Sequence, residues 1–189
     1  MTRRSISIGF ALSALLLTPL AFAQQKLLPA QSEIQFVSKQ MGVPVEGKFK
    51  KFDAQVSFDP AKPATSKIAF TIDTGSASFG APQTDAELPK ATWFNVAKFP
   101  QANFESTAIK ALGAGKFEVA GQLTIKGNVK EVVVPVLLTQ AANVTTAAGS
   151  FTIQRLTFKI GDGEWADTSM VADDVQVKFK LALTGVAKL

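Results

Sequence analysis

ATWFNVAKFPQANFESTAIKALGAGKFEVAGQLTIKGNVKEVVVPVLL, running from Ala91 to Leu138, is the stretch on which the fold turns. Between Lys116 and Lys126 the residues alternate without a break. Phe117, Val119, Gly121, Leu123 and Ile125 fall on one side, and Glu118, Ala120, Gln122, Thr124 and Lys126 on the other. That is the period of two of a half-buried strand. Gly127-Asn128 supplies a tight turn and Val129 to Leu138 returns, which predicts a β-hairpin. Ahead of it, from Phe99-Pro100, Ala102, Phe104 and Ser106 share a face and predict a third antiparallel strand.

In the returning strand, Val132, Val134 and Val136 alternate with Val133, Pro135 and Leu137, so both faces are apolar. The expectation is a strand covered on its second face, by a neighbouring helical segment or by a second subunit. Pro135 cannot donate to a ladder, so it belongs at an edge or an irregularity.

On the N-terminal side, Ile34, Phe36 and Ser38 share one face of a strand over Glu33 to Lys39. Val45, Gly47 and Phe49 alternate and then change phase to Phe52, Ala54, Val56 and Phe58. A phase change at Lys50-Lys51 without a turn predicts a bulge or sharp bend in one long strand, a device that curls a sheet. Asp59-Pro60 to Pro63 marks a turn, and Ile68, Phe70 and Ile72 define the next strand. From Thr74 to Pro100 the alternation disappears. A short helix with a loop is expected there, capped by Thr84 or Asp85 and limited by Pro89, with Leu88, Trp93 and Phe94 directed at the core or closing a cavity.

On the C-terminal side, Ala141 to Gly149 reads as a loop of small residues. Phe151 to Ile160 reads as a strand with a second phase change at Gln154-Arg155, and Gly161 to Asp174 as a polar loop. Val175, Val177, Phe179, Leu181 and Leu183 alternate with Gln176, Lys178 and Lys180 in a last strand. Eight or nine strands joined by short connections predict an all-β, antiparallel domain. Long strands with two bulges favour a barrel over a sandwich, and eight strands enclose about enough room for side chains or one small ligand.

The first residues stand apart. Arg3 and Arg4, an apolar run from Ile6 to Leu17, Pro19 and Ala21-Phe22-Ala23 match a secretory signal peptide, so residues 1–23 are expected to be cleaved after Ala23 and residues 24–189 to form one periplasmic domain. Two of the five net positive charges belong to that signal. The remaining lysines lie scattered on strand faces, as on a solvated surface, and predict no nucleic-acid partner. Lys48, Lys50 and Lys51 around Phe49 form the densest basic cluster, read as a solvated strand face. Cysteine and histidine are both absent, which excludes disulfides, Ser-His and Cys-His nucleophile pairs, nitrogen or sulfur zinc sites and histidine-ligated haem. Asp162, Glu164 and Asp167, with Asp173-Asp174, are the acid clusters, and their spacing fits no calcium loop. The reading therefore calls for no catalysis, metal or cofactor. An outer-membrane barrel is the other fold with such strands, but it carries aromatic girdles, whereas this chain has no tyrosine and has lysines at mid-strand; no stable membrane insertion is expected.

The series SEIQF, EGKFKKFDAQVSFDP, AKFPQANFEST, GQLTIKGNVKEVVVPV, QRLTFKIG and VADDVQVKF resembles, in order and spacing, the YceI-like family of exported proteins. The resemblance implies an extended eight-stranded antiparallel lipocalin-like β-barrel with a short helical insert, enclosing a long apolar channel. It implies binding of a polyisoprenoid, an isoprenoid quinone or a related amphiphile. Fifteen phenylalanines, none of them joined by a tyrosine, suit such a wall. The expected ligand-binding residues are Phe36, Phe49, Phe70, Phe104, Leu123, Ile125, Phe158 and Phe179, with Trp93 and Phe94 at the mouth and Arg155 offered to a polar head group. Asp85 and Leu88 fit the family's insert, Trp93 takes a phenylalanine position, and Lys159 replaces a glycine. Gln31, Gln40, Glu87 and Lys126 stand where the family carries histidines. A filled barrel acting as a stress or interaction protein, and a homodimer sharing the strand from Val132 to Leu138, complete the expectations.

Overall fold

The computed structural model describes residues 25–189, so the expected signal peptide lies outside the described residues. The strands are β1 (Lys26–Leu27), β2 (Glu33–Gln40), β3 (Val43–Phe49), β4 (Phe52–Ser57), β5 (Lys67–Asp73), β6 (Ala77–Ser78), β7 (Gln101–Gly113), β8 (Lys116–Ile125), β9 (Asn128–Ala141), β10 (Val144–Gln154) and β11 (Asp174–Thr184). One helical turn, α1, spans Pro82–Asp85. All pairings are antiparallel, in the order β4-β5-β7-β8-β9-β10-β11-β2-β3-β6, with β1 added beside β11.

The two ends of that order meet in one piece of chain. β3 pairs with β2 and β4 pairs with β5, and only Lys50-Lys51 separates β3 from β4. At this bend the Lys50 N–H donates to the Ser76 carbonyl and the Asp73 N–H donates to the Lys51 carbonyl. The bend expected from the phase change is thus the seam of the barrel. With β3/β4 counted as one bent stave, and β5/β6 likewise, eight staves close the wall.

The hairpin from β8 to β9 forms as the alternation predicts, but its turn falls one residue earlier than Gly127-Asn128. Ile125 pairs with Asn128, and the loop is Lys126-Gly127, with φ of 50° and 74°. Positive φ at both central residues is the turn whose twist suits a hairpin, and glycine takes the second position without strain.

Three other expectations change. Val144–Gln154 is a strand, although its first half reads as a low-information loop. Its small residues are required there: Gly149 faces Phe179 on β11, and a methyl group on Gly149 would stand 2.6 Å from the Phe179 Cζ. The strand after Phe151 stops at Gln154, and Arg155–Phe158 is a 3-10 turn ended by Lys159 in the left-handed region at φ 56°. What reads as a second bulge is therefore a break in the wall. Finally, neither Thr84 nor Asp85 caps α1. The N-cap is Ala81, and Asp85 reaches back to accept hydrogen bonds from the Ser78 hydroxyl and the Phe79 N–H, both at 2.6 Å.

β9 lies between β8 and β10 and its outer face is not covered: Val129, Val133 and Leu137 are exposed, while Val134 and Leu138 are buried inside. The expected cover by the helical segment does not occur, because that segment sits against the barrel's interior. Pro135 does mark an irregularity. Pairing between β9 and β10 runs from Val144↔Ala141 to Gly149↔Val136 and ends beside Pro135, where the ladder opens.

Candidate functional site

Inside the wall, buried side chains gather in two clusters, one around Leu27, Ile34, Phe58, Phe117, Val119 and Leu181, the other around Phe36, Leu88, Phe94, Ile125, Ile153 and Phe158. Each cluster surrounds an apolar cavity. The larger, with about 1020 Å³ of empty space counting that open to solvent, is walled by Phe58, Phe70, Phe104, Phe117, Phe179 and aliphatic residues. The second, about 840 Å³ on the same basis, is walled by Phe36, Phe49, Phe79, Leu88, Trp93 and Phe94 among others. Ile34, Ile72, Leu123, Phe151 and Val177 line both, so the two cavities adjoin at these five side chains.

The strands place those residues by parity alone. Ile34 and Phe36 on β2, Ile72 on β5, Leu123 and Ile125 on β8, Phe151 and Ile153 on β10, and Val177 and Phe179 on β11 all face inward. Three rings lie over glycines of the neighbouring strand. Phe36 pairs with Gly47, Phe179 with Gly149, and Phe104 lies beside Gly121. A methyl group on Gly47 would sit 2.5 Å from Cε2 and 3.0 Å from Cε1 of Phe36; one on Gly121 would sit 2.6 Å from Cε2 of Phe104. Glycine thus lets each ring lie along the wall, where a larger residue would push it toward the lumen. In the second cavity the rings continue as a chain. Phe36 packs edge-on to Phe79 at 5.1 Å and tilted to Phe49 at 5.2 Å, and Phe49 meets Phe94 at 5.9 Å.

Of the expected site residues, Phe70, Phe104 and Phe179 line the first cavity, Phe36, Phe49, Trp93, Phe94 and Ile125 the second, and Leu123 both. Phe94 is buried where it lines the second cavity. Phe158 lines neither; at 1% exposure it is packed core, because the 3-10 turn carries it off the strand's inward face. Ile34, Ile72, Phe79, Leu88, Phe151, Ile153 and Val177 are wall residues absent from the expected set, yet most share strand parity with members of it.

Arg155 corrects its expected role. It is 1% exposed, and its guanidinium is enclosed by backbone oxygens. Nε donates to the Ala172 carbonyl at 3.0 Å, Nη1 to Ile160 and Gly161 at 2.9 and 2.6 Å, and Nη2 to Trp165 and Val171 at 2.7 Å each. All five N–H groups are used. Burial pulls the guanidinium below its ordinary pKa, opposed by nearby Asp173. Asp173 completes the knot: its carbonyl accepts the Arg155 N–H at 2.9 Å and its Oδ1 the Leu156 N–H at 2.9 Å. Arg155 thus ties residues 160–174 over one end of the barrel and offers nothing to a head group.

Lys126, at a position where the resemblance places histidine, makes a second tie. Its Nζ donates to the Lys159 carbonyl at 2.6 Å and lies 3.5 Å from Asp162 Oδ2. The Asp85 carboxyl is held below the ordinary range by the Ser78 hydroxyl and then the Phe79 N–H, anchoring the insert that carries Leu88, Trp93 and Phe94. Trp93 packs against Trp165, 5.7 Å between centroids, and its Nε1 is buried with no hydrogen-bond partner.

The family model described as YceI-like domain matches residues 26–183. Protein YceI of Salmonella arizonae is 35% identical over 130 residues, 66% of this chain and 68% of its own length. A UPF0312 protein of Ectopseudomonas mendocina is 40% identical over 88 residues; this match covers 47% of the chain and only about half, 46%, of that relative. Among solved structures, Burkholderia cenocepacia BcnA is 46% identical with a TM-score of 0.80, over 82% of this chain and 98% of that one. A polyisoprenoid binding domain from Saccharophagus degradans shares the fold at a TM-score of 0.70 and 15% identity, over 85% and 98% of the two chains. With a family model spanning nearly every strand of the barrel, the chain belongs to the YceI-like family.

Proposed function

We propose that this protein is a periplasmic binding or carrier protein that encloses one long apolar molecule, a polyisoprenoid, an isoprenoid quinone or a related amphiphile, in the barrel interior, without catalysis. The observation that carries the reading is the pair of adjoining apolar cavities that share Ile34, Ile72, Leu123, Phe151 and Val177 as lining. A chain-shaped ligand fits that arrangement better than a compact one. Burying about ten methylenes at roughly 0.8 kcal/mol each gives about 8 kcal/mol, equivalent to micromolar affinity before ordering costs. The Saccharophagus degradans domain of the same fold is a polyisoprenoid binding domain, and the reading extends that ligand class to this chain. The ligand is the only partner the reading requires; it calls for no nucleic acid and no stable membrane insertion. A homodimer is proposed through the exposed apolar stripe of β9.

The test is native mass spectrometry of protein released from the periplasm without detergent, followed by solvent extraction. A stoichiometric isoprenoid, quinone or fatty amide supports the reading and names the cargo. A clean apo mass that persists after incubation with such lipids overturns it in favour of a filled barrel. The mass of the released chain also tests cleavage after Ala23.

A further inference from the structure

Resting on the carrier reading, we propose that the ligand enters and leaves through the side of the barrel, by the wedge where β9 and β10 part, and that Pro135 holds this portal open. The two strands pair from Val144↔Ala141 to Gly149↔Val136 and no further. Beyond that point each keeps its other neighbour: β8 pairs along β9 as far as Asn128, and β11 along β10 as far as Gln154. Continuing the register would set Ser150 against Pro135, Thr152 against Val133 and Gln154 against Glu131, and among the described residues none of these pairs forms. The gap runs for about five residues, roughly 15 Å of strand.

Pro135 accounts for the parting. The Leu138 N–H donates to the Gly115 carbonyl just ahead of β8, so even-numbered residues of β9 address β8 and odd-numbered ones address β10. Pro135 thus occupies a position that should give β10 an N–H, and it has none. Past it, the N–H and C=O groups of Val133 and Glu131 face the gap without a protein partner among the described residues. Backbone groups stay unpaired where water reaches them, and Glu131, Val133, Ser150 and Thr152 are all exposed.

The gap lies over the place where the cavities adjoin. Phe151 lines both, Val134 the first and Ile153 the second. Val129 and Val133 stand exposed as an apolar lip outside. Other ways in are fastened. The carbonyls around Arg155 hold residues 160–174 over one end. Among the residues that line only the first cavity, Phe58 is held by Gln25, which accepts from its N–H at 2.8 Å and donates to its carbonyl at 2.6 Å. The base of the wedge is closed by Asn128 Nδ2, which donates to the Phe158 carbonyl at 3.1 Å. Between that base and Pro135, no side-chain hydrogen bond or ion pair crosses from β9 to β10 among the described residues.

Closing a portal raises the barrier to entry and exit alike, so it changes rates and leaves affinity alone. The experiment uses the full mature chain, delipidated, at a concentration where sedimentation shows a monomer, so that no dimer through β9 covers the lip. A decyl-substituted benzoquinone is the probe, followed in stopped flow by quenching of tryptophan fluorescence, since Trp93 lines the second cavity. Pro135→Val supplies the missing N–H. The expected result is protection of the Val133 amide from hydrogen exchange, with association and dissociation both slowed about tenfold and Kd changed by less than about twofold. The chain has no cysteine, so Thr152→Cys carries a unique thiol at the rim. Its glutathione adduct should slow both rates and release them on reduction, whereas the same adduct at Lys110→Cys, where β7 pairs with β8, should do neither. The adduct decides the matter if Pro135→Val fails to fold or leaves the amide unprotected. Unchanged rates with the Thr152→Cys adduct in place, or equal slowing by the Lys110→Cys adduct, overturn the portal while leaving the carrier reading intact. If the quinone does not bind the unaltered protein, the carrier reading falls and this inference falls with it.

Discussion

Replacing Arg155 with lysine separates a structural arginine from a ligand-binding one. The guanidinium donates to the carbonyls of Ile160, Gly161, Trp165, Val171 and Ala172. Lysine has three N–H donors on one atom and no planar fork, so at least two of those carbonyls lose their partner. At about 1–3 kcal/mol for each buried acceptor left unpaired, the loss is about 2–6 kcal/mol. Against a total stability of roughly 5–15 kcal/mol for a domain, that is a large fraction. With about 2–4 °C per kcal/mol for a chain of this size, the melting temperature should fall by roughly 4–24 °C. The assay is thermal unfolding followed by circular dichroism, in parallel with titration of a decyl-tailed quinone at a temperature where the variant is folded. The expected outcome is a large loss of stability with quinone affinity reduced only as far as the loosened 160–174 segment disturbs the cavity. Unchanged melting combined with abolished binding would show that the arginine serves the ligand, and the structural argument would be wrong.

Four further outcomes follow from the same geometry. Gly47→Ala should destabilise by about 1–3 kcal/mol through the clash with the Phe36 ring, partly offset by about 0.4–1 kcal/mol from the stiffer unfolded chain, and should weaken ligand binding; Gly47→Ala combined with Phe36→Leu should recover part of the loss in a thermal melt. Leu123→Ala, which removes bulk from a side chain common to both cavities, should cost about 2–5 kcal/mol in urea unfolding while leaving or improving the affinity for longer chains. For Asp85, whose carboxyl titrates below its ordinary 3.8 in the fold, the contribution to stability is complete above that value and is lost as pH falls through the depressed pKa; proteolysis of the 79–99 insert should therefore rise on acidification from about pH 5 to pH 2, and Asp85→Asn should be susceptible across the whole range. Val133→Lys on the exposed face of β9 should leave the monomer's stability within about 0.5 kcal/mol and abolish any dimer seen by sedimentation; a dimer that persists places the interface elsewhere.

Much of the barrel is legible because a half-buried wall writes its parity into the sequence. β8, β11 and the bend at Lys50-Lys51 appear as alternation or as a switch in it. The misreadings have physical causes. Val144–Gln154 carries threonine, alanine and glycine because Phe179 lies across its middle, and small residues facing a ring look like a loop when the ring is 30 residues away. Val132 to Leu138 reads as buried on both sides because composition reports apolarity, whereas only the single-chain geometry shows that Val133 and Leu137 face outward uncovered. A register shift at Ser106/Ala108 in β7 goes unseen although Phe104 and Ile109 have opposite parity. For the site, the inward phenylalanines are readable from parity, but the number of N–H groups that Arg155 has free is not. That number depends on five carbonyls brought together from residues 160–172, and spacing along the chain carries no trace of their convergence.

Whether such an interior is a core or a channel turns on where the rings lie. A barrel of eight staves is just wide enough to fill itself with side chains, so the same phenylalanines standing across the lumen would leave no room for a guest. Here Phe36, Phe104 and Phe179 each lie against a glycine of the adjacent strand, and the volume a β-carbon would occupy is taken by the ring instead. The glycines weaken their strands, since each gives up side-chain packing and gains backbone freedom in the unfolded chain. That cost is maintained at three inward positions of three different strands, β3, β8 and β10, which a sequence needing only a packed interior has no reason to do. A filled barrel would be better served by alanine or valine at Gly47 and a smaller residue at Phe36. The pairing of large ring with no side chain keeps aromatic surface on the wall and empty space on the axis, and that is the arrangement a long apolar ligand requires.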